Sequence, residues 1–149
     1  MRIYTTFWPK SKILKWLGIR TKKYFFMELD DQATWAMDYT LAMIIVPMLK
    51  QLKETKQGAP FVDDEDVPDE LKSTNALPGK DGDVDSLHFE RWDWILDEMI
   101  WAFEQDAMDD GWKEQYYTEK VDREGIDKHY KRMQNGHRLF GKYYNSLWD

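Results

Sequence analysis

The chain has no cysteine, which excludes disulfides, thiol nucleophiles and thiolate metal sites together. Histidine is scarce, and His88, His129 and His137 stand in no context such as H-E-x-x-H or G-x-S-x-G that would give them a catalytic role. No glycine-rich phosphate loop is present: "NGHRLFGKYY" carries two glycines but lacks the preceding strand that a P-loop requires. Long apolar runs are missing as well. The longest uncharged one, "YTLAMIIVPML" from Tyr39 to Leu49, falls short of the roughly 20 residues a membrane helix needs, so no stable membrane insertion is expected. The opening "MRIYTTFWPKSKILKWLGI" has neither a continuous apolar stretch nor a small-residue cleavage site, and a cytoplasmic protein is expected.

What remains is rich in carboxylates and rings. Of 149 residues, 42% are apolar and 15% aromatic, with eight Trp, eight Tyr and seven Phe, which is the composition of a folded chain and the length of one domain, 1–149. The net charge of -7 is unevenly spread. Residues 1–27 carry seven Lys or Arg and no acid, whereas residues 60–110 carry seventeen acids against three bases. An acidic surface repels phosphate backbones, so extended nucleic-acid binding is not expected. The basic appendage, residues 1–29, sets Ile13, Leu14, Trp16, Leu17 and Ile19 beside Lys10, Lys12, Lys15, Arg20, Lys22 and Lys23. It suits a membrane surface or an anionic ligand, but packing against its own acidic domain is the preferred reading.

The pattern predicts a mostly α protein: a bundle of three long helices with a short N-terminal strand or hairpin and a helix appendage. The appendage reads as an extended piece over Arg2 to Trp8, a turn at Pro9, a short helix ending near Gly18, and a second strand in "KKYFFMEL". The first long helix should start with Asp30 or Asp31 as N-cap and end near Lys56, before "GAP". Residues 60–85 form an acidic loop without a sustained period, with one helical turn at "PDELK". A loop this long inside a domain is either functional or disordered. The second helix is expected from about Ser86 to Asp109, and the third from near Thr118 to about Ser146.

At 100° per residue the second helix has two faces. Phe89, Trp92, Ile95, Leu96, Met99, Ile100 and Phe103 make an ordinary core stripe, while Glu90, Trp94, Asp97, Trp101 and Glu104 lie nearly opposite. The first helix is apolar on two sides as well, with Trp35, Tyr39, Ala42, Ile45, Val46 and Leu49 on one and Met37, Leu41, Ile44 and Met48 on the other. Three helices cannot all be central, so a homo-oligomer is expected. Asp38 falls on an apolar face and should pair with Arg132, Arg138 or a tyrosine hydroxyl, because an unpaired buried charge is expensive. His137 should be a satisfied core residue.

Two chemistries suit these residues. Asp38, Glu90, Asp97 and Glu98 could hold magnesium, as all-α nucleotide pyrophosphohydrolases do with carboxylates three or four apart on neighbouring helices. Asp97 and Glu98, however, lie 100° apart, and no E-x-x-E pair with a following E-x-x-D is present. The second chemistry is binding without catalysis and without a cofactor: Trp94, Trp101 and Tyr143 would stack on a ligand while Arg132, Arg138 and Lys142 neutralise its charge. The same residue types dominate protein interfaces.

"FERWDWILDEMIWAFE", "NGHRLFGKYYNSLWD" and "GAPFVDDEDVP" resemble segments of small hypothetical proteins encoded by tailed bacteriophages, especially large marine ones. The resemblance implies a phage origin and the host-cell cytoplasm, and it assigns no catalytic residue. It favours a non-catalytic accessory protein that blocks a host protein or sequesters a small anionic ligand such as an immune signalling nucleotide. A metal-dependent nucleotide hydrolase and a virion structural or assembly protein stand as alternatives.

Overall fold

The computed structural model describes residues 2–6, 24–28, 34–117 and 120–148. Two compact units make up the chain, Met1–Met37 and Asp38–Asp149, where the sequence reads as one domain. In the first, β1 (Arg2–Thr6) and β2 (Tyr24–Glu28) pair antiparallel, with Arg2 opposite Glu28 and Thr6 opposite Tyr24. Both segments are rich in β-branched and aromatic residues, which suit a pleated ribbon. The expected turn at Pro9 and helix near Gly18 lie outside the described residues.

The chain is mostly helical. Three long helices are α1 (Met37–Thr55), α2 (His88–Ala107) and α3 (Arg123–Lys142). The expected start of α1 at Asp30 or Asp31 is too early: Thr34 to Ala36 are a turn, and Trp35 is 91% exposed rather than part of a buried face. α3 starts after Asp122, whose carboxylate accepts from the Gly125 backbone N–H at 2.9 Å and so satisfies one of the free donors of the first turn. It gives way after Lys142 to a tighter turn over Tyr144–Ser146.

The core is built on α2 and α3. Trp92, Ile95, Leu96 and Met99 of α2 and Leu139 of α3 are fully buried side chains. α3 meets them with Met133, Gly136 and Leu139, three residues apart. Gly136 is needed for the approach: a Cβ there would collide with Ala102 and lie 2.6 Å from the Glu98 carbonyl oxygen. Phe89, expected in the core stripe, is instead 46% exposed near the start of α2.

α1 buries only Ala42 and Leu49, seven residues apart, and is tied to α2 by charge. Lys50, Lys53 and Lys56 pair with Glu104, Asp97 and Asp93, each at 2.5 Å, in antiparallel order. Asp97 and Glu104 of the second face of α2 thereby meet α1, whereas Trp101 of that face meets Arg132 and His129 of α3. Asp38, expected among apolar side chains with Arg132 or Arg138 as partner, is exposed, and its carboxylate accepts from the Tyr39 N–H at 2.9 Å.

The acidic segment 60–85 is a chain of short turns rather than structureless. Tight helical turns occupy Asp64–Asp66, Asp69–Leu71 and Ser73–Asn75, and Lys80 to Asp83 close a turn in which Asp81 and Gly82 have positive φ. Among the described residues no helix is long and apolar enough to cross a membrane.

Candidate functional site

The strongest concentration of charge lies where the acidic segment crosses the C-terminal end of α3. Asp66 is buried, so its carboxylate needs partners to stay ionised. Arg138 and Lys142, about one turn apart, and the adjoining Tyr143 bring three to it. Arg138 Nη2 donates to Oδ1 at 2.6 Å, the Tyr143 hydroxyl donates to Oδ2 at 2.7 Å, and Lys142 Nζ lies 2.5 Å from Oδ2. The Tyr143 oxygen also accepts from the Asp63 backbone N–H at 3.1 Å. Burial pushes the Asp66 carboxyl pKa up, but hydrogen bonds from Lys142, Tyr143 and Arg138 outweigh it and hold the pKa below 3.8. Burial and the bond to Asp66 push the Tyr143 hydroxyl up to about 12. Hydrogen bonds to Asp63 and Asp66 raise the Lys142 ammonium well above its ordinary range.

Oxygens of Asp63, Glu65 and Asp66 all lie within 4.8 Å of one another, a grouping that could hold a metal ion. The Lys142 ammonium already reaches all three, at 2.8 Å from Asp63 and 3.1 Å from Glu65. A divalent ion would have to displace it. The rest of the acidic segment is pinned to the start of α2: buried Arg91 donates to the Leu71 carbonyl at 3.1 Å and pairs with Asp85, and buried His88 Nε2 lies 3.0 Å from the Ala59 carbonyl.

A second cluster joins α2, α3 and the turn segment Asp109–Tyr116. Arg132 grips Glu98 with two bonds, Nε to Oε2 at 3.0 Å and Nη2 to Oε1 at 2.6 Å, while its guanidinium lies 3.9 Å over the Trp101 ring. Trp101 lies beside His129 at 4.8 Å between ring centres, and Trp112 stacks flat on the same imidazole at 4.2 Å and 5°. His129 Nδ1 meets the Tyr116 hydroxyl at 3.1 Å, and its buried Nε2 has no partner among the described residues. Burial, and secondarily Arg132, hold the His129 pKa below 6.5. Flanking this cluster, His137 Nε2 lies 2.6 Å from Asp106 and its ring meets the edge of Phe103.

The candidates from the sequence are thus distributed. Arg138, Lys142 and Tyr143 come together, but around the chain's own Asp66. Arg132 and Trp101 meet each other in the second cluster, and Trp94 is half-buried against the core. The four magnesium candidates do not converge: Asp97 faces Lys53 of α1, Glu98 faces Arg132 of α3, and Asp38 and Glu90 are exposed. Asp66, Arg91 and His129 were absent from the sequence candidates. Arg91 had a signal, because Arg91, Glu98 and Gln105 are spaced by seven and so form one polar line along α2. All three are buried.

Chemically, each cation of the two clusters has a carboxylate and each buried carboxylate has donors, while His129 Nε2 is left without a partner among the described residues. No protein-family model, curated protein or solved structure matches the chain.

Proposed function

We propose that the protein is a non-catalytic binding protein, a phage accessory factor that attaches to a host protein in the cytoplasm of the infected cell. One observation carries this reading: Arg132, Arg138 and Lys142, through which a small anion would be held, are each paired with a carboxylate of the same chain. Capture of a nucleotide would have to break those pairs, whereas a protein partner would not. In this reading the three long helices act as one bundle that carries an acidic surface. Glu70, Asp81, Asp83 and Glu90 are exposed on it, and the net charge of -7 would steer a basic partner. The resemblance to phage proteins supplies the host setting.

The test is capture from bacterial cytosol on the immobilised full chain, followed by calorimetric titration of each captured protein after purification. A basic protein whose affinity falls with ionic strength, and falls further for Glu70→Lys with Glu90→Lys, supports the reading. Magnesium-dependent nucleotide turnover abolished by Asp97→Ala would overturn it, as would saturable nucleotide binding by the unmodified chain.

A further inference from the structure

An open apolar groove of about 880 Å³ runs between α1 and the C-terminal end of the chain. Its walls are Leu41, Ile45 and Met48 on one side and Phe140, Tyr144 and Trp148 on the other, and none of its lining residues is charged. Gln51 and Thr55 supply its polar side chains apart from the tyrosine hydroxyl and the indole N–H. Leu41, Met48, Tyr144 and Trp148 are respectively 44, 65, 63 and 74% exposed.

We infer that this groove is the contact between two copies of the chain, which pair across a two-fold axis with the α1 ridge of each seated in the groove of the other. Two observations, shape and area, point to a second copy. The chain carries both parts of the joint, because Leu41 and Met48 stand on α1 as a ridge and also form one wall of the slot. A two-fold contact needs such a self-complementary patch. Charge does not oppose it there: the net charge of -7 makes copies repel one another over acidic surface, whereas the lining of the groove carries no charge. Eleven consecutive α1 residues, Tyr39 to Leu49, carry no charge.

Area agrees. With full side-chain areas on the order of 200 Å², those four side chains expose roughly 500 Å². The half-buried Ile45, Leu52 and Phe140 bring this toward the roughly 800 Å² per partner of a stable interface. An exposed patch of that extent lies toward the upper end of the roughly 300–600 Å² that the largest apolar patch on a monomer covers, and such patches mark contact sites. The inference does not depend on the host partner, since the acidic loop side chains Glu70, Asp81 and Asp83 do not line the groove.

Sedimentation equilibrium of the full chain tests it. The expected species has twice the 18.0 kDa mass of one chain, and Met48→Arg should weaken association at least about a hundredfold, as loss of a central contact does, with an unchanged circular dichroism spectrum. Because the chain has no cysteine, Met48→Cys would carry its sole thiol. A short bismaleimide should link that variant into covalent dimers and leave a Glu90→Cys control single. This cross-linking reads the contact even if Met48→Arg fails to fold. An unmodified chain that stays monomeric at all concentrations overturns the inference. So does a dimer whose Met48→Cys variant does not cross-link, or one that keeps its affinity in both Met48→Arg and Tyr144→Arg.

Discussion

Asp66 is the residue on which the acidic segment turns. Its side chain is 1% exposed, while Arg138 and Lys142 keep 48 and 29% of theirs in contact with solvent. Removing the carboxylate therefore strands cations that water can still reach, and Asp66→Ala should destabilise the fold by about 2–3 kcal/mol, at or below the lower end for a broken buried pair. Urea denaturation followed by circular dichroism measures this. His129 gives the pH response. Its folded pKa lies below 6.5, so the unfolded chain takes up the proton first as pH falls. Stability should hold above about pH 6.5, decline below it, and level off once the folded pKa is passed. His129→Phe keeps a ring on Trp112 and should flatten that decline, read by thermal melts between about pH 7 and pH 5. Asp66 acts in a separate and lower window, since its depressed pKa withdraws stability only below 3.8. Arg138, Lys142 and Tyr143 stand together among the sequence candidates by residue type, but the Asp66 carboxylate they surround does not. Asp66 lies in a segment without period, and nothing in its neighbours distinguishes it from Asp63 or Asp64.

At the scale of elements, α2 carries most of the organisation, and its two faces have different covers. Gly136 lets α3 approach so closely that Gly136→Ala should cost about 2 kcal/mol through overpacking against Ala102 and the Glu98 carbonyl. A lowered thermal midpoint with an unchanged spectrum in the cold is the expected outcome. Lys50 and Lys53 of α1 should matter much less. Their pairs with Glu104 and Asp97 are at least about one-third open to solvent on both sides, which limits each to under about 1 kcal/mol. Replacing Lys50 and Lys53 with Gln should lower stability modestly at low ionic strength and leave it unchanged in molar salt, measured by chemical denaturation in both. The division of α2 into a core stripe and a carboxylate-and-indole face could be read directly from its periodicity. What covers the second face could not, because the Lys50, Lys53 and Lys56 spacing of three is equally compatible with a solvated edge. Helix starts were the weaker reading: α1 begins at Met37 rather than near Asp30, and Asp30 and Asp31 lie outside the described residues.

At the scale of the whole molecule, cations are outnumbered, and the ones best placed to bind an anion are already occupied. Residues 60–110 carry seventeen acids against three bases, and Arg138 and Lys142 at the end of α3 are committed to Asp63, Glu65 and Asp66. A nucleotide approaching this region meets repulsion at long range and no free donor pair at short range. Intrinsic tryptophan fluorescence is a suitable reporter, since Trp92 packs edge-on against Tyr143 at 5.8 Å. Titration of the unmodified chain with inorganic phosphate or a nucleotide should leave the emission unchanged. In Asp66→Ala the same Arg138, Lys142 and Tyr143 lose their buried carboxylate, and weak phosphate binding, with Kd on the order of 1 mM or about 4 kcal/mol, should appear as a saturable change in emission. Binding of equal strength in both proteins would place the anion elsewhere, and would remove the reason for preferring a protein partner over a small charged ligand.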